Sequence, residues 1–78
     1  MDAKTALRDS LRALRMGKRL TQEKVAEESG LATRAYQHYE RGEQEPTLSK
    51  LLALADFYDI SLDELVGRKR RRTEAGDS

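Results

Sequence analysis

An all-α domain of five short helices is predicted by three observations. Apolar residues recur at helical spacing in five separate stretches, each bounded by a capping residue or a glycine. No stretch alternates apolar and polar residues with period two, and β-branched residues are few. The chain is 78 residues long, which bounds it to one small domain, and none of the five stretches is long enough to stand as an isolated helix in water. The helices must therefore share a core.

The elements follow in order. Leu7, Leu11 and Leu14 lie at i, i+4 and i+7 on one helical face, with Asp2 as N-cap and Gly17 as a left-handed stop. Thr21 caps a second helix that opens on Gln22 and Glu23, where the helix dipole favours a carboxylate, and carries Val25 and Ala26 before Gly30 ends it. The third runs from about Thr33 to Arg41 and is stopped by Gly42. After the loop from Glu43 to Pro46, Thr47 caps a fourth helix whose Leu48, Leu51, Leu52, Ala55 and Tyr58 hold the period. The fifth has the strongest local signature: Ser61-Leu62-Asp63-Glu64 is a capping box, Ile60 and Leu65 form its hydrophobic staple, and Gly67 closes it. Together these stretches predict a domain over 1–67. The tail over 68–78, whose one apolar residue is Ala75, is expected to be disordered.

The predicted core comprises Leu7, Leu11, Leu14, Leu20, Val25, Leu31, Tyr36, Tyr39, Leu48, Leu51, Leu52, Phe57, Ile60, Leu62 and Leu65. Composition excludes several function classes. There is no cysteine and one histidine, so thiol chemistry, disulfides and most metal sites are out, and no cofactor is expected. No apolar run approaches a membrane span and no signal-peptide core follows Met1, so a cytoplasmic location is expected. His38 sits on a helix face with no implied pocket, and the carboxylate pairs Glu27-Glu28 and Asp63-Glu64 are adjacent residues pointing different ways, so an enzyme is not expected. Net charge is +1 overall, but five of the positive residues fall in Arg68 to Arg72; residues 1–67 hold 10 basic and 12 acidic side chains, a net −2. Bulk charge does not identify a nucleic-acid binder, so any such reading rests on local placement.

The segment from Gln22 to Arg41 has two short helices joined by a tight turn at Gly30, with small Ala26 at their approach, which is a helix-turn-helix arrangement. The run LTQEKVAEESGLATRAYQHYERGEQEPTLSKLLALADFYDISLDELVG resembles the lambda-repressor and Cro group of small bacterial and phage regulators, the XRE family. The likeness covers about residues 7 to 67, with the L-T-Q-x-x-x-A start, E-x-G at the end of the third helix, a following proline and the S-L-D-E-L-V-G close in register. It implies a lambda-repressor-like fold and sequence-specific binding of double-stranded DNA by a transcriptional regulator.

Helical geometry points the same way. With Arg34 at zero, Arg41 falls at about −20°, His38 at about +40°, Gln37 at about −60° and Thr33 at about −100°, while Tyr36 and Tyr39 fall at about 200° and 140°. One arc is polar and the opposite arc aromatic. A helix of about nine residues, roughly 13 Å long, suits a major groove about 12 Å wide. Thr33, Arg34, Gln37 and His38 are the expected base readers; Arg suits guanine O6/N7 and Gln suits adenine N6/N7. His38 is open to three roles: reading a base, touching a phosphate, or sensing pH. Thr21, Gln22, Arg41, Gln44 and Thr47 are the expected phosphate contacts, Gln22 because it lies at a helix start where free N–H groups attract anions. Glu43 and Glu45, where family members often carry cations, are expected to repel DNA locally.

The resemblance also implies an ion pair between Arg15 and Glu40 that ties the first and third helices. Two departures from the family stand out. Ala32 replaces a usual Ser or Thr cap, so the helix is expected to start one residue later with Thr33 as cap. Tyr36 replaces a β-branched aliphatic residue. The basic tail has three open readings: an arm on phosphate or the minor groove, a localisation patch, or a solvated end. Because one short helix reads few base pairs, a homodimer on a pseudo-palindromic operator is expected, with exposed parts of the fourth and fifth helices at its interface. Repression is expected, since occupancy suffices to occlude polymerase. The alternative is an antitoxin or adaptor of a toxin-antitoxin or similar system, with a protein partner on the acidic group Asp56, Asp59, Asp63 and Glu64.

Overall fold

The computed structural model describes residues 3–67. Asp2, the expected first cap, and the tail from Arg68 to Ser78 lie outside the described residues. Within them stand α1 (Ala3–Gly17), α2 (Gln22–Glu28), α3 (Thr33–Glu40), α4 (Leu48–Tyr58) and α5 (Leu62–Leu65), with no strand. None of these helices is long and apolar enough to cross a membrane.

Four helices end by the same local device. A left-handed residue folds the chain back, and the next N–H bonds the carbonyl five residues earlier. Gly30 (φ 72°) and Gly42 (φ 74°) supply the left-handed residue after α2 and α3, with Leu31 N donating to Ala26 O at 2.8 Å and Glu43 N to His38 O at 2.9 Å. Asp59 (φ 57°) does so after α4, with Ile60 N bonded to Ala55 O at 3.0 Å. The first helix departs from expectation: it continues through Gly17, and the left-handed residue is Arg19 (φ 58°). The reversal is fixed by Leu20, whose N–H reaches Arg15 O at 3.0 Å as its side chain turns back to the core.

Thr21 Oγ1 accepts from Lys24 N at 3.0 Å, and Ser61 with Glu64 forms both halves of the capping box. Two caps differ from expectation. Thr33 is the first residue of α3 rather than its cap; Ala32 holds the cap position, with extended backbone and no side-chain bond to give. Thr47 occupies the cap position of α4, but its hydroxyl lies 3.2 Å from Ser49 Oγ instead of bonding a backbone N–H.

Leu7 and Leu11 of α1, Val25 and Ala26 of α2, Tyr36 and Tyr39 of α3, Leu54, Ala55 and Tyr58 of α4, and Leu65 of α5 form the core. Leu14, Leu20, Leu31, Leu51, Phe57, Ile60 and Leu62 are partly buried against it. Leu48 and Leu52, expected inside, are exposed by 62% and 45%, and the position taken in their stead is the fully buried Leu54. The buried stripe of α4 is thus 51-54-55-58. α1 is the central element, packed against α3 on one side and α5 on the other. Ser10 Oγ donates to Glu64 O at 3.2 Å, and Gly67 passes so close to α1 that a Cβ there would lie 3.3 Å from Ala6 O. The α2-α3 pair is held on this frame through α1.

Candidate nucleic-acid interface

The third helix is oriented by its two tyrosines. Tyr36 is fully buried and Tyr39 nearly so, which turns the opposite arc outward. On that arc Arg34 is exposed, while Thr33, Gln37 and His38 are half-buried. The four expected base readers therefore share one accessible side of α3, within its first six residues.

A polar network fixes the helix in rotation. The Glu40 carboxylate is buried, and Arg15 binds it with two prongs: Nε to Oε2 at 2.6 Å and Nη2 to Oε1 at 2.9 Å. Tyr36 Oη donates to Oε2 at 2.7 Å and Gln22 Nε2 to Oε1 at 3.0 Å. The remaining prong of Arg15, Nη1, donates to Leu20 O at 3.1 Å. Burial opposes ionisation of Glu40, but the bonds from Arg15, Gln22 and Tyr36 outweigh it and hold the carboxyl below its ordinary value. The bond to Glu40 raises Arg15 despite burial, and burial followed by the same carboxylate raises Tyr36.

Gln22 joins this network to the outer arc. Its Oε1 accepts from Gln37 Nε2 at 3.2 Å while its own amide donates to Glu40. An expected phosphate contact and an expected base reader are thus in direct contact. Thr21, Arg41, Gln44 and Thr47 are exposed, and the hydroxyl of Thr21 is engaged in its cap. Arg41 joins Arg8, Arg12, Arg15, Asp9, Gln22 and Glu40 around an open cleft of about 430 Å³ between α1, the start of α2 and the end of α3. Its arginines place positive charge beside Gln22.

At the C-terminal end of α3, the exposed Glu43 has two partners. His38 Nδ1 lies 2.6 Å from Glu43 Oε1, and Arg41 Nη1 donates to the same oxygen at 3.3 Å. The bond from His38 is the main cause that holds the Glu43 carboxyl below its ordinary value; desolvation opposes it, and the charge of Arg41 adds to it. Among the acidic residues of α4 and α5, Glu64 is engaged in its capping box.

Sequence reading missed the Gln22–Gln37 and His38–Glu43 contacts, because both join residues on different elements. The Tyr36–Glu40 bond was within reach, since the two are four apart on one helix.

A family model described as helix-turn-helix matches residues 11–65. An uncharacterized HTH-type transcriptional regulator of Bacillus subtilis (strain 168), YobD, is 44% identical over 57 residues, 73% of this chain and 51% of that one. The control protein C.SmaI of Serratia marcescens is 37% identical over 76 residues, 97% of this chain and 90% of that one. The crystal structure of the restriction-modification controller protein C.AhdI from Aeromonas hydrophila superposes with a TM-score of 0.75 at 37% identity, covering 80% of this chain and 94% of that one. The chain spans about half the length of YobD and of several other curated relatives it matches.

Proposed function

This chain belongs to the helix-turn-helix family of DNA-binding transcriptional regulators, and from that premise we propose that it represses transcription by occupying a duplex operator, with α3 in the major groove. The observation that carries this reading is the division of α3: tyrosines buried on one arc, Arg34 and the half-exposed Thr33, Gln37 and His38 on the other. Arg34 presents the fork that matches guanine, and Gln37 the amide that matches adenine. Thr21, Gln22, Arg41, Gln44 and Thr47 flank that arc as phosphate contacts, and the cleft arginines add attraction that carries no sequence information. Gln22 is braced at both ends, so a phosphate held there also steadies Gln37.

The working unit is a homodimer of the domain over 1–67, with the helix-turn-helix unit over 22–41. Leu48 and Leu52, one turn apart on α4 and exposed, supply apolar surface for its two-fold contact. It acts in the cytoplasm by occupancy, without catalysis or cofactor. The antitoxin or adaptor alternative gains nothing from the relatives, which are named as regulators and control proteins.

Selection from random duplexes tests the proposal. A defined, two-fold symmetric site is expected, with preference at one base pair relaxed by about 1–3 kcal/mol in Arg34→Ala and at another in Gln37→Ala. Arg41→Ala should weaken all sequences alike and lower the salt slope by about one. No enrichment of any site, or equal weakening of all sites by Arg34→Ala, refutes base reading by α3.

A further inference from the structure

We propose that Glu43 is a positioning residue that fixes the tautomer of His38, so that the neutral ring reads a base amino group and the protonated ring reads a base acceptor instead. The inference rests on the reading of α3 as the major-groove helix.

A carboxylate only accepts hydrogen bonds. Glu43 Oε1 lies 2.6 Å from His38 Nδ1, so Nδ1 must carry the hydrogen. In the neutral ring this leaves Nε2 as a bare acceptor. Nε2 is the far nitrogen of a half-exposed ring, and His38 lies one turn beyond Arg34 on the reading arc. An acceptor in the major groove meets the amino group of adenine N6 or cytosine N4. Protonation adds a hydrogen at Nε2 without disturbing Nδ1, and the same side chain then suits an acceptor: guanine O6 or N7, adenine N7 or thymine O4.

The charges around the ring support the assignment. Arg34 and Arg41 stand on its own helix and its cap, and Arg41 Nη1 also donates to Glu43 Oε1 at 3.3 Å. From α1, Arg8 lies against Gly42, its Cδ 3.4 Å from where a Cβ would stand, and is engaged with Asp9. The contact from α2 to this side of α3 is the uncharged Gln22. Glu43 is therefore the one acidic group bonded to the imidazole among the described residues.

Two measurements decide it. Nitrogen-15 NMR of the neutral imidazole in the free protein, at about pH 8.5, should show the Nδ1–H tautomer, with Nε2–H gaining in Glu43→Ala and Glu43→Gln. Glu43 is exposed, so both variants should fold. Operator selection should locate the base pair whose preference His38→Ala removes. There the wild type should favour adenine or cytosine at about pH 8.5 and move at least about threefold toward guanine or thymine at about pH 5.5, the worth of one hydrogen bond; Glu43→Ala should lose most of that change. A wild-type ring in the Nε2–H form, or a His38-dependent preference indifferent to pH, overturns the assignment. If a defined site is selected and Arg34→Ala relaxes it while His38→Ala does nothing, this inference fails and the reading of α3 stands. If no site is selected, the reading of α3 fails and takes this inference with it.

Discussion

At Glu40 one carboxylate gathers donors from three helices: Arg15 of α1, Gln22 of α2 and Tyr36 of α3. Its removal would strand a largely buried guanidinium and release the rotational hold on α3. Glu40→Gln and Arg15→Met are each expected to cost about 3–5 kcal/mol, lowering the urea midpoint enough to unfold much of so small a domain. Unchanged midpoints would show that the network orients α3 without stabilising it. The carboxyl is depressed in the folded state, so its contribution is fully present above the ordinary value of 4.5 and is lost as pH falls through the lower native value. Urea titrations between about pH 6 and pH 3 should show this acid loss in the wild type and less of it in Glu40→Gln. The pairing of Arg15 with Glu40 was legible only through family resemblance, since nothing in local spacing joins residues 25 apart.

Helix ends were the most legible feature of the sequence, because capping is decided by neighbours. The capping box at Ser61 and the left-handed glycines at positions 30 and 42 stand where local chemistry places them. α3 shows the reverse case: its cap position holds Ala32, which has no oxygen to offer. Ala32→Ser should raise stability by about 1 kcal/mol, read as a higher Tm, provided the serine accepts from a backbone N–H two or three residues on. A lower Tm would show that the methyl group is needed for packing. α4 was misread at its face. Leu48, Leu51, Leu52 and Ala55 keep the spacing i, i+3, i+4, i+7, and so do Leu51, Leu54, Ala55 and Tyr58. The two stripes differ by three residues, or about 60° of rotation. Periodicity cannot separate them; the position of α5 and of the shared core does, and that is tertiary information.

For the molecule as a whole, the leftover stripe has a consequence. Leu48 and Leu52 are outward yet apolar, so Leu52→Lys should weaken self-association while leaving monomer stability within about 0.5 kcal/mol, as exposed substitutions do. Sedimentation equilibrium together with thermal melts separates the two effects; a monomeric wild type at high micromolar concentration would remove α4 from the proposed interface. The overall layout also sets a timescale. Successive helices are joined by links of three to seven residues, and four of the helices end in a left-handed residue whose following N–H reaches back five positions. Each reversal of direction is encoded beside itself and waits for no distant partner. The main phase of refolding from urea should therefore fall within milliseconds by temperature-jump or stopped-flow fluorescence of the tyrosines, as expected for chains dominated by local contacts. A regulator of this build spends little time as an open chain after each transient unfolding.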